Sequence, residues 1–460
     1  MTRVVFHLGD KKTGSTAIQT TLGLKAWTCD SVKLTYPVSG GFSHIGLAKS
    51  LQFRHRQAVG PVRQSAIAGH FKEVADRIRA EKPDVALISA EHFEEVDPLV
   101  LRDAVKTYLP EFAATATFIA YVRPHAERLS SSFSERIKQG IFWGSIEDLH
   151  KQMLTNDKLL YTPRFSRWRE VFGDRFELRP MIRDLLYRKD VVADVLQFIL
   201  QTDDFQVLPV QGTNESLSLE NLAILRRFQL AVLDGGSTVL AHQAAFGWSI
   251  ARRMNASPLS AGTKVQLHRT LAESVLEHYH ADAVALDAAF FQGKPMTGAI
   301  LAAPGKAVAE PQSVQAEDHF SPRELQLADI FIDQIKALSQ VDPKQLAKDL
   351  REQHRAALQA AGPHSEESLD DVGKSPAGKS AGTLKAESVG RRSLPGKAGA
   401  GKRANGKAGA GKGDGGKAGG GKRLGAGPGK AGPGKGGAGK GGLRMAGRGR
   451  AGKPAADTEE

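Results

Sequence analysis

After the apolar run Val4–Leu8 the chain reads Gly9-Asp10-Lys11-Lys12-Thr13-Gly14 and continues Ser15-Thr16-Ala17-Ile18-Gln19. A β-type run, a loop bounded by glycines and a helix opening on hydroxyl side chains would aim several backbone N–H groups at one point. The positive end of the helix dipole would reach the same point. That chemistry suits a phosphate or a sulfate, with Lys12, Thr13, Gly14, Ser15 and Thr16 as the candidate anion-binding residues. The Gly9-x4-Gly14 spacing copies a Walker A loop, yet Ser15 stands where Walker A needs lysine, and Lys12 precedes the Thr13-Gly14 pair instead. This order argues against an ordinary ATPase or GTPase.

A second group follows another apolar run, Phe118-Ile119-Ala120-Tyr121-Val122, which ends on Arg123-Pro124. Ligands of open α/β sheets gather at the carboxyl ends of the strands. Arg123 would stand there, and Ser131, eight residues on, lies about two helical turns along. The planar guanidinium fork can hold a phosphate through two parallel hydrogen bonds. Ser130 and Ser132 are weaker neighbours. Glu91 follows the run Val85–Ser89 in the same manner and is the candidate base; the competing reading is a carboxylate that complements a helix N-terminus. His92, His7 and His44 are weaker bases, and His7 reads as a packed core residue. No His, Asp or Glu cluster has metal-ligand spacing.

Positioning these groups requires strands and helices in alternation. The pattern predicts strands over Val4–Leu8, Val85–Ser89, Thr117–Val122 and Phe176–Pro180. Between and after them it predicts helices over Ser15–Leu24, Ala66–Ala80, Pro98–Tyr108, His125–Lys138, Ile146–Met153, Thr162–Phe172 and Asp190–Ile199. The expected fold class is α/β, a mainly parallel sheet of P-loop type with helices on both faces over residues 1–210. A mostly helical part over 211–300 follows, with Leu219–Leu233, Lys264–Tyr279 and Ala281–Phe290 as its helices. Leu301–Gln315 reads as a linker within a 301–361 segment. There Ser321-Pro322-Arg323-Glu324 signals a helix start, and a further helix is expected near Pro343–Leu358.

With the loop and the strand-end arginine in this order, the chain resembles the bacterial, 3′-phosphoadenosine 5′-phosphosulfate-dependent sulfotransferase family. The resemblance rests on Lys12-Thr13-Gly14-Ser15-Thr16 and on the Arg123/Ser131 pair. Ser43-His44-Ile45-Gly46-Leu47-Ala48, Ile88-Ser89-Ala90-Glu91-His92-Phe93, Arg179-Pro180 with Asp190-Val191-Val192-Ala193-Asp194, and Asp287-Ala288-Ala289-Phe290-Phe291 extend it. It spans roughly residues 3–295 and implies a fold, a donor and roles. Lys12 would neutralise the leaving oxygen, Thr13 to Thr16 would hold the 5′-phosphate, Arg123 and Ser131 would hold the 3′-phosphate, and Glu91 would take the acceptor's proton. The acceptor would be a hydroxyl or amine, on a glycan or small metabolite, and no metal is needed. Two positions depart from the family pattern: Lys11 stands where small, Pro or His residues are more usual, and Pro124 stands where Asn or Asp is common.

The 460 residues carry a net charge of +13, unevenly. From Asp371 onward there are 20 Lys and Arg against 6 Asp and Glu, and 29 of the 49 glycines, so the body before it is near neutral. Repeats of Ala-Gly-Lys and Gly-Gly-Lys type over 362–460 bury nothing and predict a disordered basic tail. Such a tail could attract nucleic acid or other anionic surfaces without sequence preference, since it has no aromatic residue for stacking. Two other functions compete with the transferase. One is a nucleic-acid-binding or scaffold protein with a degenerate transferase body. The other is a P-loop kinase, for which the lysine is misplaced and no convincing Mg²⁺-binding Asp follows a strand. Cys29 is the only cysteine, which rules out an intramolecular disulfide, and the polar residues that follow Val4–Leu8 lead one to expect no secretory signal at the N-terminus. A cytoplasmic setting is expected.

Overall fold

Alternation in the first apolar run decides what packs on each side of the sheet. In the computed structural model, which describes residues 2–210, 216–234, 240–257, 262–339 and 343–360, this run is β1 (Arg3–His7). It sits at the centre of a five-stranded parallel sheet. Two-residue β3 (Leu34–Thr35) and β4 (Val85–Ser89) lie on one side, with β5 (Thr117–Val122) and β6 (Phe176–Pro180) on the other, in the order β3-β4-β1-β5-β6. Val5, Val85, Leu87, Ile119 and Tyr121 face α1 (Ser15–Gly23) and α8 (Val191–Leu200). Val4, Phe6, Ala86, Ile88, Phe118 and Ala120 face the opposite layer. That layer includes α3 (Pro61–Glu81), α4 (Pro98–Tyr108), α5 (His125–Lys138) and α7 (Thr162–Phe172). A strand buried on both faces must be apolar throughout, which is why these runs barely alternate in polarity. A separate antiparallel pair joins β2 (Trp27–Thr28) to β7 (Gln206–Val207).

The topology creates the place for a site. β1 and β5 are neighbours, yet the chain leaves β1 into α1 on one face and leaves β5 into α5 on the other. Adjacent parallel strands whose connections diverge open a crevice at their carboxyl ends, where ligands of α/β sheets bind.

Beyond the sheet the described chain is mostly helical: α9 (Leu219–Asp234), α10 (Leu240–Asn255), α11 (Arg269–Phe290), α12 (Pro295–Lys306), α13 (Pro322–Ser339) and α14 (Pro343–Ala360). Two shorter helices lie between strands, α2 (Ile45–Ser50) and α6 (Ile146–Thr155). Two expectations need correcting. The helices drawn over Lys264–Tyr279 and Ala281–Phe290 are the single α11, because no Gly or Pro interrupts it and buried Tyr279, Asp282 and Ala283 carry its packed face through the join. The stretch Leu301–Gln315 is not all linker, since α12 continues to Lys306 by burying Met296, Ile300 and Ala303 at helical spacing.

Two carboxylates of α11 set neighbouring helices in place. Asp282 accepts the backbone N–H groups of Tyr161 and Thr162, both at 2.9 Å, and so caps α7 from outside. Asp287 accepts those of Met296 and Thr297 at 2.9 and 2.8 Å and caps α12. Orphan N–H groups of a first turn need such partners. At α13 the expected start forms, with Ser321 and Glu324 side chains bonding reciprocally across the first turn. The described residues all belong to one compact unit. The basic tail over 362–460 lies outside the described residues. No described helix is long and apolar enough to cross a membrane.

Candidate functional site

The first loop is held from beneath by charge. Asp10 is fully buried and ion-paired with Arg128 of α5 at 3.0 Å and Arg164 of α7 at 3.1 Å. Glu94, from the 3-10 turn Glu91–Glu95 after β4, pairs with the same Arg128 at 3.3 Å and with Lys158 at 3.3 Å. Burial alone would raise the Glu94 pKa, but Arg128, Arg164 and Lys158 hold it well below the usual carboxylate range. The Lys11 N–H donates to both Asp10 and Glu94, at 3.1 Å each, which ties the loop backbone to this network.

Above the network the loop turns into α1. Gly14 sits at φ 84°, in the left-handed region, and a Cβ there would lie 2.7 Å from Val191 Cγ1, so only glycine lets α1 begin this close to α8. No side chain caps α1, and no acidic residue lies in its first turn. The N–H groups there lack intrahelical acceptors and remain suited to an anion. Thr13 and Ser15 are buried and turn their hydroxyls toward the Asp10 carbonyl, at 2.6 and 3.5 Å. Thr16 is exposed.

Lys12 is non-glycine at φ 69°, a conformation that needs support from its surroundings. Its ammonium pairs with Glu135 Oε2 of α5 at 3.0 Å, an oxygen shared with Lys138 at 2.9 Å. The other oxygen, Oε1, accepts from Trp248 Nε1 at 2.9 Å and from Gln139 at 3.0 Å. Burial pulls the Lys12 pKa down while Glu135 opposes it, and the net shift is downward. Glu91 moves the other way: burial raises its pKa, and the nearby Lys11 and Lys12 charges only partly oppose this.

Arg123 joins the two sequence-derived groups. Its Nη1 donates to the Lys12 carbonyl at 3.1 Å and to Ser131 Oγ at 3.3 Å. Ser130 and Ser132 bond elsewhere, Ser130 to the Glu127 carbonyl and Ser132 from Arg128 Nε. Arg123 Nε is buried with no hydrogen-bond partner, Glu127 standing at 3.8 Å. Beside it lies a cavity of about 280 Å³ lined by the cations Arg123, Arg183 and Lys189, the carboxylates Glu127 and Asp190, and apolar Met181, Leu186 and Val191. The Asp190 carboxylate is turned to the Val192 and Ala193 N–H groups of α8, at 2.9 Å each, and Lys189 pairs with Asp184 at 2.8 Å, which leaves the Arg123 and Arg183 guanidiniums to favour an anionic occupant.

The histidines are set apart. His44 accepts the Ser89 N–H at Nδ1, at 3.1 Å, and donates from Nε2 to the Pro37 carbonyl at 3.1 Å, so neither nitrogen is open to an acceptor molecule. His7 is buried against Ser89 Oγ at 2.8 Å. Burial depresses both imidazoles to about 4. His92 also has its pKa lowered by burial and by Lys49.

Sequence reasoning missed Glu135, Trp248 and the Asp10–Arg128–Glu94–Arg164 network. Glu135 had a signal: it stands four residues after Ser131, one turn on along the same helix face. Trp248 had none, because it arrives from a helix more than a hundred residues further along. Arg179 pairs with Asp194 at 2.9 Å, and Asp194 also accepts from Tyr121 Oη at 2.6 Å and fixes α8 to the sheet. Among the described residues no group of three His, Cys, Asp or Glu side chains is arranged to hold a metal ion. Comparison with protein-family models gives no match, and no curated protein matches the chain.

Proposed function

We propose that the chain transfers a sulfuryl group from 3′-phosphoadenosine 5′-phosphosulfate to an acceptor hydroxyl or amine. One observation carries the reading: Arg123 bridges the Lys12 carbonyl and Ser131, so the two candidate phosphate sites lie side by side at the point where the β1 and β5 connections diverge. The buried Arg123 Nε without a partner fits a phosphate oxygen, as do the uncapped start of α1 and the Arg123 and Arg183 guanidiniums on the cavity wall. The sheet is read as P-loop type on the same grounds. A kinase reading is weaker, because the loop carboxylate Asp10 is enclosed by Arg128 and Arg164 and Ser15 replaces the Walker lysine.

When bound, the donor supplies an activated sulfuryl group; the chain supplies position and charge. Arg123, Ser131 and the α1 N–H groups hold the two phosphate ends. Lys12 exchanges Glu135 for the oxygen that departs, and neutralises it as charge develops there. Glu91, its pKa raised by burial, accepts the acceptor's proton. Fixed hydrogen-bond donors in a crevice do most of this work, as in phosphoryl transfer.

The test is calorimetric titration of the full chain with 3′-phosphoadenosine 5′-phosphate, against ATP and GTP. Micromolar binding of the first and not the others is expected. Arg123→Ala should weaken it by about 1.5–3 kcal/mol, the usual range for a hydrogen bond to a charged group, and affect adenosine 5′-phosphate much less. Equal losses for both ligands would remove Arg123 from the 3′-phosphate site. A second reading, a binding or scaffold protein with a degenerate body, draws on the Lys12–Glu135 ion pair and on the basic tail composition. Donor binding without transfer to any acceptor would favour it.

A further inference from the structure

Trp248 is 47% exposed, whereas Trp168 is buried and Trp27 and Trp143 are partly so. A single exposed aromatic residue needs no explanation. Three observations make this one unusual. Its indole N–H is fixed by Glu135 Oε1 at 2.9 Å, and the other oxygen of that carboxylate holds the Lys12 ammonium. One carboxylate therefore separates the ring from the candidate catalytic lysine. The residue before it, Gly247, touches the Lys138 carbonyl so closely that a Cβ would overlap it, which presses α10 onto the end of α5. Around Trp248 the helix is anchored by buried Ala245, Phe246 and Ser249. The ring is thus held from both sides of its backbone and at its polar edge, while much of its apolar surface stays open.

We infer that Trp248 is the platform on which the acceptor lies, and that the acceptor is a molecule presenting a flat apolar ring face beside a hydroxyl, as a pyranose or a phenol does. This rests on the sulfuryl-transfer reading and narrows its acceptor. An indole pinned by its N–H loses little freedom when a ring stacks on it, and a stacked ring would bring its substituents toward Lys12 and Glu91. Glu135 then has two roles. It holds Lys12 before the donor arrives, and it keeps the platform in place afterwards through the oxygen that Lys12 does not use. Trp248 is a specificity-determining residue and takes no part in bond making. An amine or hydroxyl on a flexible chain, with no ring, would gain nothing from it.

The experiment has two independent arms on the full-length protein. In one, 3′-phosphoadenosine 5′-phosphate is titrated calorimetrically into wild type, Trp248→Ala and Trp248→Phe. In the other, intrinsic fluorescence is followed while methyl pyranosides, phenol and an acyclic polyol are added in the presence of that nucleotide and in its absence. Donor-product affinity should agree within about two-fold among the three proteins, and a saturable fluorescence change with a ring compound should vanish in Trp248→Ala. Pyranosides and phenol are separate series, so the response names which ring is preferred. With active protein, Trp248→Ala should raise the KM for ring acceptors ten-fold or more, Trp248→Phe should recover most of that, and the KM for acyclic acceptors should stay unchanged. Nucleotide binding with no Trp248-dependent response to any ring overturns the platform and leaves the transferase reading standing. A Trp248-dependent ring response without nucleotide binding supports the platform and overturns the transferase reading. An equal KM rise for ring and acyclic acceptors would make Trp248 a merely structural contact.

Discussion

Lys12 has two carboxylates near it, and their surroundings give them opposite chemistry. Glu135 receives Lys12, Lys138, Gln139 and Trp248, and these partners overcome the effect of burial and keep it ionised far below the usual range. So strongly stabilised an anion is a poor proton acceptor. Glu91 is half-buried with weaker compensation, its pKa is raised, and it is the better base. Because a base must be ionised to act, the raised pKa should move the acid limb of the turnover profile upward from that of an ordinary glutamate. Glu91→Gln should lower turnover by ~10²–10⁴ and leave nucleotide binding nearly intact. A pH–rate series on both proteins checks this, and wild-type turnover in the variant would make Glu91 a structural carboxylate. Lys12→Ala should cost more in kcat than in donor affinity, since an interaction strengthened only in the transition state acts on the chemical step. Steady-state kinetics beside calorimetry separates the two quantities.

At the scale of elements, the legible parts were those with local causes. β4, β5, α4, α5 and α7 begin and end where the apolar spacing, the prolines and the polar breaks put them. The three two-residue strands are too short to leave a period, and α2 is little more than a turn. Lys12, Arg123 and Ser131 could be picked out because loop glycines and a strand-end arginine have meaning in sequence order. Glu135 and Arg164 could not be paired with Lys12 and Asp10, since those contacts join residues 123 and 154 positions apart. The same limit hid α10, whose placement depends on a backbone contact that no sequence period reports. Gly247→Ala tests that contact. Its methyl group would meet the Lys138 carbonyl, so α10 must shift, and about 1–3 kcal/mol of stability should be lost, the usual range for overpacking. Chemical denaturation measures the loss, and the fluorescence of Trp248 in the folded variant should change with it.

At the scale of the whole molecule, the charge is divided between a near-neutral body and the glycine- and lysine-rich sequence after Asp371. Among the described residues, the contacts that build the crevice come from the loop after β1, from α5, α7 and α10, and from the turn after β4. Truncation near Ser368 should therefore leave the thermal transition and nucleotide affinity unchanged while abolishing salt-sensitive retention on DNA or heparin. Calorimetry and a salt gradient on a heparin column decide it, and retention by the truncated protein would place the binding charge on the body. The cap that Asp282 places on α7 carries a different kind of consequence. Arg164 sits in the first turn of α7 and pins Asp10 beneath the loop, so the start of the chain is completed by a residue made some 270 positions later. During synthesis the residues of the strands are made first, whereas the bracing of the Gly9–Gly14 loop through α7 lacks its cap until Asp282 of α11 has been added. A chain that stops short of Asp282 would leave the Tyr161 and Thr162 N–H groups without this acceptor, and with them the first turn that carries Arg164.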